Sequence, residues 1–389
     1  MSKSVSLVNG VGISFGCVRI LIGAFSVVYL LDHGLTLTEI GWIKSFQAAV
    51  IVFVDIPLSH ISDKYSRKFS ITLSAFCASI WLYLTGASDH FYGFLVAEFF
   101  NALSLGLMSG TFNSYLYDVS KNNDKNEIAE KIFSRYQKNH FFFMGIFSLV
   151  GAVLYSQNNI NVWYISAALM FLVFISSLFL PKDNLNKSGN SATLKETLNN
   201  IMTSVFGKKS DTKNFIFINI VFSMFLQILI QYWQVMMTYS SEFLDKKILL
   251  GVVFFAILMS QSLAGLAIER SKNKLVLKIT LSFSLLLSGS FSVISMYYPI
   301  LTLPSLCSIF FTMSTFASLS LSQLVENTPR DIRSTLLSSL AVLSKIVMFI
   351  IMPISAILIN KLGVNFNLIL ILTMFFCIKY IITPTDNRE

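Results

Sequence analysis

The chain has 389 residues, 54% of them hydrophobic and only 13% charged, and its mean hydropathy is +0.68. A soluble domain carries about 25% charged residues, so a water-soluble fold of this composition is excluded: it would have to expose large apolar patches. The net charge of +9 comes without a soluble basic face, so it reads as membrane topology and anionic-lipid contact and not as a nucleic-acid surface.

Apolar runs able to cross a hydrocarbon core about 30 Å thick in about 20 residues fall near residues 11–31, 41–60, 69–87, 92–117, 137–156 and 162–181 in the first half of the chain. In the second half they fall near 214–238, 248–268, 275–297, 303–325, 336–359 and 364–382. These predict twelve transmembrane helices. Residues 1–10 hold one lysine, and no small-residue cleavage site follows the first run, so that run reads as a retained helix. With the N-terminus inside, every Lys and Arg falls on the cytoplasmic side except Lys44, Lys246, Lys247 and Lys361 outside, and Arg19 and Lys345 within the membrane. That asymmetry predicts both termini in the cytoplasm. Cys17, Cys77, Cys307 and Cys377 lie in four different apolar runs without C-x-x-C spacing, which makes them small packing residues.

The chain divides in the middle. Residues 1–181 and 214–389 each carry six runs, and residues 182–213 form the single long polar stretch. Within it Thr193-Leu194-Lys195-Glu196 has the form of a capping box, and Leu194, Leu198, Ile201, Met202 and Val205 follow helical spacing. The reading is an amphipathic cytoplasmic helix joining two six-helix bundles.

Residues 59–68, Ser-His-Ile-Ser-Asp-Lys-Tyr-Ser-Arg-Lys, form a predicted turn between the second and third runs, with one acid followed by a basic cluster. They resemble the signature between helices two and three of the major facilitator superfamily: Gly, three residues, Asp, a basic residue, one residue, Gly, then two basic residues. Ser59 and Ser66 stand at the glycine positions, while Asp63, Lys64, Arg67 and Lys68 keep the charges. Residues 265–274 hold a degenerate copy, with Gly265 three residues before the acid-base pair Glu269-Arg270. Ser109-Gly110-Thr111 with Tyr117-Asp118, and Pro329 with Arg333-Ser334-Thr335, are also similar to bacterial members. Helix five has Gly145 and Gly151 without the Gly-Pro pair of the antiporter motif, and Glu98 stands where many drug exporters carry an arginine. The resemblance implies an all-α fold of two pseudo-symmetric six-helix bundles, alternating access, and a solute site between the halves near the midplane.

A charge at membrane depth costs several kcal/mol unless paired, so each one is a functional candidate. Arg19 lies on a face with Gly12, Gly16, Gly23 and Ser26; it either lines the cavity or pairs with a carboxylate such as Glu98. Lys345 either reaches the cavity or snorkels elsewhere. Asp55 and Glu98 are the proton-coupling candidates, because a carboxyl alternating between water and a closed interior binds and releases a proton. Their plainer reading is a fixed pair. Gln227, Gln231 and Gln234 share one helical face beside Trp233; they serve as packing glue or, with Asn101, as solute-binding wall. Asp63, Arg67, Lys68, Asp118 and Arg333 are expected to gate the cytoplasmic side, with Arg67 and Lys68 facing Asp118.

No P-loop, nucleophile elbow or metal-ligand spacing is present, and His33, His60, His90 and His140 are dispersed. The sequence reading is therefore a monomeric inner-membrane secondary transporter of a bacterium, with no enzyme activity, cofactor, metal or nucleic-acid partner. It exports an amphipathic anionic or zwitterionic compound (a siderophore, peptide-like antibiotic or drug) in exchange for protons. Proton-coupled uptake of a nutrient or siderophore, and a transporter-shaped receptor or immunity protein, are the alternatives.

Overall fold

The computed structural model describes residues 3–64, 66–108, 111–123, 129–157, 159–181, 220–221, 224–235, 237, 247–270, 274–295, 297–298, 301–326 and 330–362. Among these there is no strand. The chain forms two compact units, one of Met1–Lys195 with Lys246–Phe255, the other of Glu196–Asp245 with Ala256–Glu389. The predicted linker helix at 193–205, the twelfth run, Cys377, and the motif residues Ser109, Gly110 and Pro329 lie outside the described residues.

The first unit contains α1 (Lys3–Leu21), α2 (Ser26–Asp32), α3 (Leu37–Lys64), α4 (Arg67–Gly86), α5 (Phe91–Met108), α6 (Thr111–Asn123), α7 (Ala129–Gln157) and α8 (Asn159–Ser177). Further on come α9 (residues 224–235), α10 (Lys247–Arg270), α11 (Lys274–Ser295), α12 (Thr302–Glu326) and α13 (Arg330–Leu362). Among the described residues, six helical stretches are long and apolar enough to cross a membrane: Lys3–Asp32, Leu37–Asp55, Arg67–Gly86, Phe91–Ser120, Asn139–Gln157 and Val342–Leu362. Val162–Ser177, Ile248–Ala264 and Phe283–Ser295 are shorter apolar helices.

The first predicted run is not one helix. It breaks at residues 22–25, where the bonding tightens to Gly23 N–H on the Ile20 carbonyl and Phe25 N–H on that of Ile22. The Leu21 carbonyl at the break lies directly against Gly151 of α7, where a Cβ would collide with it. Helix five thus keeps a glycine at this level so that the broken backbone can be buried in protein, the condition for irregular backbone at membrane depth.

Where a turn is predicted at 59–68, helix α3 runs through to Lys64 and α4 begins at Arg67. Ser66 caps α4 by accepting from Phe69 N–H at 3.2 Å, a role for a hydroxyl at N-cap that the glycine of the superfamily pattern does not supply.

Within the first unit the helices meet through small and hydroxylated residues, as membrane helices do where no hydrophobic difference drives them together. Ser74 donates to the Ser104 carbonyl at 2.7 Å, joining α4 to α5. Ser177 donates to Thr72 at 3.0 Å, joining α8 to α4. The end of α8 is held from two sides, Lys68 donating to the Leu180 carbonyl at 2.7 Å and Tyr115 to that of Pro181 at 2.6 Å.

Candidate functional site

Helix α3 starts earlier than its apolar run. Thr36 and Glu39 form a reciprocal capping box, with Thr36 N–H on Glu39 Oε2 at 2.7 Å and Glu39 N–H on Thr36 Oγ1 at 3.2 Å. This sets Lys44 two turns inside the helix. The residue is half-buried, and Nζ lies 2.5 Å from Glu98 Oε1 of α5. Both side chains are largely shielded, at 16% and 8% exposure.

From Glu98 the bonding continues inward. Its second oxygen, Oε2, accepts from Asn101 Nδ2 at 2.7 Å, one turn along α5. Asn101 Oδ1 accepts in turn from Arg19 Nη2 at 2.6 Å. Four residues from three helices therefore form one relay, Lys44, Glu98, Asn101 and Arg19, with two positive ends and one negative centre. Arg19 meets Glu98 through the amide of Asn101 and not directly, so the Asn101 side chain is oriented by charges on both sides. The guanidinium carbon of Arg19 stands 4.4 Å from the Trp81 ring centroid, a cation–π distance. Its Nη1 is buried and has no hydrogen-bond partner among the described residues.

The face of α1 that carries Arg19 is packed tightly on its N-terminal side. A Cβ at Gly12 would strike the Phe112 ring, and one at Gly16 the His140 ring. His140 belongs to this wall, with its Nδ1 3.4 Å from the Tyr136 hydroxyl; sequence reasoning left it among dispersed histidines.

Other predicted residues stand apart from the relay. Asp55 is half-buried on α3, roughly 16 Å along the helix from Lys44 at 1.5 Å per residue. Arg67 pairs with Asp118 of α6, Asp118 being 53% exposed. Asp63 lies at the end of α3 and Arg333 at the start of α13, their side chains outside the described residues. In the second unit Gln234 and Trp233 are buried while Gln227 and Gln231 are half-buried on α9. There Tyr232 donates to the Met352 carbonyl at 3.4 Å. Lys345 is half-buried on α13. Among the described residues no three His, Cys, Asp or Glu side chains are grouped to hold a metal ion.

A bundle of apolar helices with a charged relay buried inside defines a polytopic membrane protein. The sequence model of the Major Facilitator Superfamily matches residues 7–353, and the chain belongs to that superfamily. A comparison with curated protein sequences finds no match. Among solved structures, the nucleoside transporter NupG is similar at a TM-score of 0.78 and 14% identity, over 97% of this chain and 100% of that one. A POT family transporter in complex with 5-aminolevulinic acid is similar at 0.75 and 15%, over 100% and 97%. A D-xylose-proton symporter is similar at 0.67 and 13%, over 97% of both. At these identities the likeness is one of fold.

Proposed function

We propose that the protein is a proton-coupled secondary transporter of a small organic solute carrying a carboxylate, anionic or zwitterionic, and that it works as a monomer by alternating access. The reading includes export across a bacterial inner membrane with both termini in the cytoplasm, and a solute of the siderophore, peptide-like antibiotic or drug kind. The observation that carries it is Arg19: a buried guanidinium with one nitrogen fixed by Asn101 and the other, Nη1, left with donors unused. An arginine fork matches a carboxylate better than any neutral group does. Trp81 beneath the guanidinium supplies an apolar floor for the solute body.

Glu98 is the acid proposed to carry the coupling proton: it is buried on α5 with Lys44 on one carboxylate oxygen and Asn101 on the other, so a solute that engaged Arg19 would act on the same bonded chain. The 5-aminolevulinic acid complex of one similar transporter fits the same solute chemistry, since that ligand carries both a carboxylate and an amine.

The test is binding and counterflow in proteoliposomes across a panel of organic anions, zwitterions and cations. Arg19→Gln is expected to weaken binding of the accepted solute far more than Arg19→Lys. Equal binding by wild type and a folded Arg19→Gln variant would falsify the reading.

A further inference from the structure

The opposite face of α1 has a different surface. Gly12 and Gly16 are packed against α6 and α7, but Ser6, Gly10 and Ser14, two residues away on the helical wheel, are exposed, and a Cβ on Gly10 would meet nothing within 4 Å. These residues border a groove of about 850 Å³ between α1, α7 and α8, walled by Phe143, Phe147 and Leu172 and reaching from Lys3 to Val18. It lies wholly within the first unit and does not touch the relay.

Two features define what fills it. Its length, from Lys3 to Val18 at 1.5 Å per residue, is roughly 22 Å, which is the depth of one leaflet with its headgroup layer, half of about 40–45 Å. Its lining is mostly apolar, with small residues of α1 (Ser6, Gly10 and Ser14) leaving the space, and its one charged side chain, Lys3, stands at the end that Ser176 also borders. Lys68, in the first turn of α4, reaches the backbone just beyond α8, so a second basic side chain stands at this end of the bundle. In a bilayer a lateral apolar groove of this kind meets acyl chains and not water.

We infer that the groove is a binding site for an anionic glycerophospholipid of the surrounding bilayer, with an acyl chain along α1 between Phe143 and Leu172 and the phosphate at Lys3. The lysine acts as a point charge on a flexible stem, suited to a headgroup phosphate at the membrane surface. A zwitterionic lipid presents the same chains with no net charge, so the apolar part of the site accepts both lipids and Lys3 discriminates between them.

The experiment uses the full chain in nanodiscs of equimolar phosphatidylglycerol and phosphatidylcholine, with the lipid retained after transfer to mild detergent read by native mass spectrometry. The wild type is expected to retain phosphatidylglycerol preferentially, and Lys3→Gln to lower that preference about fivefold, the weight of one basic residue at an anionic surface. Ser14→Phe, which blocks the groove partway along α1, is expected to lower retention of both lipids. Lys3 is exposed, so its variant folds and decides the matter even where Ser14→Phe does not. A wild type that retains both lipids equally, or a preference unchanged in Lys3→Gln, overturns the assignment.

Discussion

Lys44 Nζ and Glu98 Oε1 stand 2.5 Å apart inside the first unit, joining α3 to α5. Two charges removed from water hold each other's solvation, so the cost of losing one depends on whether the other remains. Lys44→Met alone leaves Glu98 buried with only Asn101 beside it and is expected to cost roughly 3–5 kcal/mol. The Lys44→Met, Glu98→Gln double variant is expected to recover most of that loss, because no uncompensated charge is left. Thermal unfolding in detergent checks this through the sign of the coupling. Equal losses in the single and double variants would show that the pair is not what holds α3 and α5 together.

Glu98→Gln keeps the shape and the bond to Asn101 but carries no proton. Solute exchange between equal concentrations is expected to persist while accumulation driven by a pH gradient is lost. Asp55 is the second candidate acid, far from the relay along α3, and Asp55→Asn separates the two. If Asp55→Asn alone abolishes gradient-driven accumulation, the coupling proton sits at the cytoplasmic half of α3 and the relay serves solute binding. Unaltered pH dependence in both variants removes both acids from coupling.

How far the sequence foretold this arrangement depends on which signal each residue gives. Arg19 and Glu98 are visible because a charge in an apolar run has to be paired or functional, and Asn101 by its place one turn from Glu98. Lys44 is hidden in the sequence because its apolar run starts near residue 41, which puts the lysine near a helix end where snorkelling is ordinary. The correcting signal was present in Thr36-Leu37-Thr38-Glu39, a capping box that starts the helix at Leu37 and carries Lys44 inward. The break at residues 22–25 could not be read in the same way. It depends on Gly151, distant in sequence, whose missing Cβ admits the Leu21 carbonyl, and apolar periodicity does not encode such pairings.

That contact is testable by adding a single methyl group. Gly151→Ala would drive a Cβ into the Leu21 carbonyl, an overpacking against backbone that cannot rotate away, expected to cost about 1–3 kcal/mol. Gly10→Ala is the control on α1, where the same methyl meets open space; it is expected to be neutral or to stabilise by about 0.5–1 kcal/mol through helix propensity. Melting temperatures of the two variants against wild type provide the measurement. A Gly151→Ala protein as stable as wild type would mean that α7 is not what buries the break.

The pair between Arg67 and Asp118 leads to a narrower expectation than a gate. Both residues belong to the first unit, at the start of α4 and within α6, so when that unit moves as one body the pair moves with it. A substitution shifts a two-state equilibrium only through interactions that differ between the states. With Asp118 about half exposed, the pair is worth about 0.2–1 kcal/mol, and that amount counts towards the stability of the unit in either state. Asp118→Asn is therefore expected to lower the melting temperature slightly while leaving cytoplasmic cysteine labelling and transport near wild type. Asp63 is the residue proposed to close the cytoplasmic side, and Asp63→Asn is expected to raise that labelling and slow transport while equilibrium solute binding stays nearly normal. If Asp118→Asn changes labelling as much as Asp63→Asn does, α4 and α6 separate during the cycle and the first unit is not rigid. If neither substitution changes labelling, the basic cluster acts through insertion and topology instead of closure.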